Sequence, residues 1–115
     1  MGSFADVLDN WKSQKGKLEE LTYALFRVSR SLNVEGARKA VNKQRYDLAH
    51  SAYRDARNAE KQLKSMSLLR RYFNRKELRR VEEIVLYLEE QIGYCEEIEI
   101  EIMEKTLVNR MEDGQ

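Results

Sequence analysis

His50 is the only histidine in the chain, and it closes the string Arg45-Tyr46-Asp47-Leu48-Ala49-His50. Asp47 and His50 stand three residues apart, which on a helix is the geometry of half a carboxylate-bridged metal site. A second group follows at Arg70-Arg71-Tyr72-Phe73-Asn74-Arg75-Lys76, continued by Arg79 and Arg80. Guanidinium groups engage phosphate or carboxylate bidentately, and lysine adds a point charge. Tyr72 can stack on a base or anchor a protein partner. Two aromatics inside a run of cations therefore point to binding rather than to bond-making.

The string from Arg45 to His50 resembles the Arg-x4-His element of HEPN ribonucleases, which are small all-α domains. That resemblance implies RNA cleavage using the 2′-hydroxyl, with Arg45 and His50 as the residues concerned. It departs from the family in carrying Tyr46 where a polar residue is usual, and the family places the motif later in its bundle. A ferritin-like di-iron centre uses Glu-x-x-His twice with two further glutamates, so a single histidine serves it only in a symmetric dimer. No metal or cofactor is expected. Tyr46-Asp47-Leu48-Ala49 with Ala52-Tyr53 resembles the second helix of a tetratricopeptide repeat, but it is unrepeated, and such repeats need neighbours of their kind. With Lys43, Gln44 and Arg45 ahead of it, the same stretch is similar to the middle helix of BAR membrane-bending domains, which are considerably longer. Serine-nucleophile motifs, phosphate-binding glycine loops and paired His or Cys ligands are absent, which argues against an enzyme.

The elements that must position these residues are helices. The 115 residues include no proline and five glycines, and 36% of them are charged. That composition suits one all-α domain covering residues 1–115. Cys95 is the only cysteine, so an intrachain disulfide and a Cys-based zinc site within one chain are both impossible. No membrane span or signal peptide is visible, and a reducing, cytoplasmic setting is expected. Asp6 stands where a myristoylation signal needs Ser or Thr.

Three long helices are predicted, over about 4–32, 34–66 and 75–110. The third organises the rest: Leu78, Val81, Val85, Leu88, Ile92 and Cys95 recur at three- and four-residue steps, and Ile102 rejoins that face. The first shows Phe4, Leu8, Trp11, Leu18, Leu21, Leu25, Val28 and Leu32, with a missed beat at Gly16 that suggests a weak point or a close crossing. Ser3 is its expected cap. Asn33 breaks and caps the second, whose stripe is Val34, Ala37, Val41, Leu48, Ala52, Ala56, Ala59, Leu63 and Met66. Those alanines suit a closely packed middle helix. Asn74 and Glu77 form a capping pair for the third helix, unless the turn from Ser65 to Asn74 is itself helical. Glu97 to Ile102 alternates like a strand, yet it has no turn signal and no partner strand. In a helix, Ile100, Met103 and Leu107 start a second stripe, which implies a second packing surface.

Short connections between long helices force antiparallel neighbours. The expected fold is an up-down-up bundle of three helices, each roughly 45 Å or longer at about 1.5 Å per residue. A helical hairpin that dimerises into a larger bundle is the alternative, and a homo-oligomer is expected either way. The acids from Glu82 to Glu104 would then lie beside Arg27, Arg30, Arg38, Lys39 and Lys43, and much of each charge is offset. Around the other turn, Lys61, Lys64, Arg70, Arg71, Arg75, Lys76, Arg79 and Arg80 have few acids within reach. Several of them sit where the helix macrodipole disfavours positive charge. The expected function is a non-catalytic protein–protein interaction module, such as an adaptor, an assembly subunit or an inhibitor of a larger complex. It would take a protein partner of acidic character through Arg70, Arg71, Tyr72, Phe73, Arg75, Lys76, Arg79 and Arg80. A nucleic-acid-binding accessory protein using the same basic pole is the alternative. A second expectation competes with both: Phe73 and Tyr72 simply plug the end of the bundle.

Overall fold

Without proline, nothing in the backbone stops long helices from forming. The computed structural model describes residues 4–28 and 34–113, apart from the side chains at 34, 35, 109, 110, 112 and 113. Helix α1 spans Phe4–Val28, α2 spans Val34–Lys64, α3 spans Leu68–Phe73 and α4 spans Arg75–Asp113. Among the described residues there is no strand, and the helices pack as an all-α bundle. The alternating Glu97–Ile102 segment lies inside α4. The second turn is itself helical, forming α3. The expected roles of Ser3, Arg30, Leu32 and Asn33 lie outside the described residues. No described helix is long and apolar enough to cross a membrane.

Helix α2 is the middle element, packed along both α1 and α4, which touch each other far less. Its Ala49, Ala52, Ala56 and Ala59 are buried with Leu63 against Leu18 of α1 and Val81, Ile84, Val85 and Leu88 of α4. Small side chains at this contact let the helix backbones approach closely. Leu25, Cys95 and Ile102 are buried as their spacing predicts, while Leu78 and Ile92 are partly covered. Trp11 packs against the core and meets the Tyr87 ring edge-on, with centroids 5.6 Å apart. Gly16 does not mark a close crossing, because a Cβ placed there would meet nothing within 4 Å.

One expectation fails in the first half of α2. Ala37 is exposed, and Arg38 faces inward instead. From there Arg38, Asn42 and Arg45 continue the same four- and three-residue rhythm as Ala49, Ala52 and Ala56, so the buried face is polar at one end and apolar at the other. Asn42 Nδ2 donates to the Cys95 carbonyl at 2.9 Å, and Arg45 Nη2 donates to Gln91 Oε1 at 2.7 Å. Arg38 lies 3.8 Å from Glu101, the expected meeting of the first basic cluster with the acidic half of α4. Further along, Tyr53 Oη donates to Glu89 Oε1 at 3.1 Å. Partner numbers fall as α2 numbers rise, so α2 and α4 run antiparallel. The whole measures 68 × 22 × 21 Å. One end of that rod is the turn that contains α3.

A candidate interaction site at the basic pole

Local hydrogen bonding fixes α3 as a separate tip. Helix α2 closes with Ser65 N–H donating to the Lys61 carbonyl at 3.0 Å and Met66 N–H to that of Leu63 at 3.3 Å. Ser67 caps α3, its hydroxyl accepting from Arg70 N–H at 3.4 Å. Asn74 caps the other end twice over: its backbone N–H reaches the Arg70 carbonyl at 3.0 Å, and its side-chain Nδ2 reaches the same oxygen at 2.8 Å. The Asn74 carbonyl then accepts from Leu78 N–H at 3.0 Å and so opens α4. The expected capping pair of Asn74 and Glu77 is therefore not formed. Arg70 has taken the N–H that Glu77 would need, and Glu77 Oε2 is buried without a partner among the described residues.

This tip holds its apolar side chains out in solvent. Leu68 is 82% exposed, Leu69 68%, Tyr72 60% and Phe73 71%. Phe73 and Tyr72 do not plug the bundle; they meet each other edge-on with ring centroids 6.0 Å apart. A helix of six residues is too short to be stable by itself, so its two caps and the flanking helices must hold it. Sequence reasoning places Tyr72 and Phe73 in the site but omits Leu68 and Leu69. Their position beside the cations is the signal that marks them.

The cations lie within and after the same stretch of chain. Arg70, Arg75, Lys76, Arg79 and Arg80 are exposed, and Arg71 is partly covered. The Arg75 guanidinium lies 4.3 Å from the Tyr72 ring centroid and donates from Nη1 to the Tyr72 carbonyl at 3.0 Å. Among the described residues none of these six cations takes part in an ion pair. Glu60 is occupied by Arg57 at 2.6 Å and Lys64 at 3.8 Å. Arg75 and Lys76 stand in the first turn of α4 with Glu77 as its one acid. Positive charge is unfavourable at that end of a helix, and no ion pair among the described residues offsets it.

The other candidates are not assembled. Arg45 turns into the packed seam, while His50 is exposed and tilts against Tyr46, so that pair is divided between interior and surface. Asp47 is exposed as well, and no group of three or more His, Cys, Asp or Glu among the described residues is placed to hold a metal ion. Cys95 is fully buried, and loss of solvent pushes its thiol above the ordinary range, which suppresses the reactive thiolate. At the far end of α4, Ile100, Met103 and Leu107 form the expected second stripe, joined by Val108 and Met111, all more than half exposed. No protein-family model, curated protein sequence or solved structure matches this chain.

Proposed function

We propose that this chain is a non-catalytic helical protein–protein interaction module, an adaptor, assembly subunit or inhibitor, that docks through its basic pole on an acidic protein partner. One observation carries the reading: Leu68, Leu69, Tyr72 and Phe73 stand exposed on a capped tip, next in the chain to exposed cations that form no ion pair among the described residues. Exposed apolar area of this kind is stabilised by burial at about 25 cal/mol per Å². Aromatic and arginine side chains are the ones that most often dominate binding energy. The frame that presents the tip is an up-down-up bundle of α1, α2 and α4 in a single domain. The antiparallel contacts of α2 with α4, and the approach of Trp11 in early α1 to Tyr87 in α4, support that topology. A reducing, cytoplasmic setting suits a lone, buried and unreactive cysteine.

A nucleic-acid reading has one observation in its favour, the stacking of Arg75 on Tyr72 among cations that form no ion pair among the described residues. Phosphate contacts make no use of Leu68 and Leu69, so the apolar half of the tip favours protein. Capture of partners from the native host, with and without nuclease, separates the two. Protein capture that survives nuclease and moderate salt is the expected result. Capture that vanishes with nuclease and falls steeply with salt would move the function to nucleic acid.

A further inference from the structure

We propose that a cavity walled by α1, α2 and α4 binds a small amphipathic carboxylate of fatty-acid type, held by the buried guanidinium of Arg45. This site is separate from the basic pole. Arg38 and Arg45 of α2 line a cavity of about 330 Å³, together with Leu25 and Phe26 of α1 and Tyr94 and Ile98 of α4. That volume admits a small ligand. The two arginines decide which kind. Arg38 is 9% exposed and Arg45 4%. Each has an Nε–H without a hydrogen-bond partner among the described residues. Arg38 has Glu101 at 3.8 Å. Arg45 forms no ion pair among the described residues, and its Nη2 donates to the neutral Gln91.

A guanidinium does not release its proton, so Arg45 stays charged even where water is excluded. Its bond to Gln91 serves the contact between α2 and α4 but brings no negative charge. Withdrawing a charge from water without a counter-ion is costly, and a ligand carboxylate offsets that cost through charge-assisted hydrogen bonds. The apolar body of the ligand then lies against Leu25 and Ile98 and covers Phe26 and Tyr94, which are 62% and 44% exposed. The exposed carboxylate of Glu97 also lines the cavity. It disfavours a second negative charge on the ligand. That selects a carboxylate over a phosphate monoester, which carries about 1.5–2 negative charges at neutral pH.

Isothermal titration calorimetry on the full chain is the test, at physiological salt, which screens remote charges. The probes are decanoate, kept below its micelle-forming concentration, and decyltrimethylammonium, which carries the same tail and the opposite charge. Decanoate should bind saturably at one site, and the cation should not bind. Arg45→Met, shown by circular dichroism to be folded, should lose about ten- to a hundredfold in decanoate affinity, as expected for a charge-assisted hydrogen bond. Glu97→Gln should tighten decanoate binding a few-fold, because it removes a like charge from an exposed position. Reversing Arg70, Arg71, Arg75 and Lys76 to glutamate should leave the affinity unchanged, since the basic pole is not the site. Absence of saturable decanoate binding, equal binding of the cation, wild-type affinity in folded Arg45→Met, or loss of binding with the reversed pole would each overturn the proposal. If Arg45→Met does not fold, Glu97→Gln decides: tighter binding supports the site, and unchanged or weaker binding overturns it.

Discussion

The α2–α4 seam and the α3 tip treat polar and apolar groups in opposite ways. In the seam, Arg38, Asn42 and Arg45 are buried and reach Glu101, the Cys95 carbonyl and Gln91, although Arg38 Nε, Asn42 Oδ1 and Arg45 Nε have no hydrogen-bond partner among the described residues. On the tip, Leu68, Leu69, Tyr72 and Phe73 are exposed, and the cations around them have no ionic partner among the described residues. Buried polar groups with specific partners set the register of two helices, because any slip leaves them unsatisfied. Exposed apolar groups beside unpaired charge contribute nothing to the isolated fold. On the function proposed above, the first region serves the chain itself and the second a partner outside it.

The two regions should therefore respond differently to substitution. The largest effect belongs to the apolar core below the seam. Leu88→Ala removes a fully buried side chain and should cost about 2–5 kcal/mol in chemical denaturation. A loss under about 1 kcal/mol would mean that this face of α4 is not the core face. Next comes the seam. Arg45→Ala strands Gln91 and should cost about 1–3 kcal/mol, while leaving capture of a partner at the pole unchanged. Loss of binding without loss of stability would undo the division of labour. A smaller effect of opposite sign is expected at Gly16, where a methyl group has open space. Gly16→Ala should raise stability by about 0.5–1 kcal/mol in the same assay. Destabilisation there would reveal a neighbour that the helix packing does not show. Smallest of all is Phe73→Ala, which should change stability by less than about 0.5 kcal/mol while weakening partner binding.

How far the sequence discloses this architecture depends on what each helix buries. In α4 the covered side chains are mostly apolar, so Val81, Val85, Leu88, Cys95 and Ile102 announce their face through spacing. In the first half of α2 the inward positions belong to Arg38, Asn42 and Arg45, and periodicity judged on apolar residues passes over them in favour of Ala37. The tip is different again. Its residues are legible as a cluster of aromatics and cations, but whether they plug the bundle or leave it depends on the path of the chain between α2 and α4. Ser67 and Asn74 set that path. An asparagine between two helices can cap either one, and only its hydrogen bonds show that Asn74 turns back to Arg70 instead of pairing with Glu77.

The most direct test reverses Arg70, Arg71, Arg75 and Lys76 to glutamate together and leaves Tyr72 and Phe73 in place. Helicity, melting temperature and partner capture are then measured on the same preparation. Loss of capture with helicity and melting temperature retained is the predicted result, since none of the four forms an ion pair among the described residues. Unchanged capture by a folded variant would contradict the assignment and reduce the basic pole to a solvated end of the bundle.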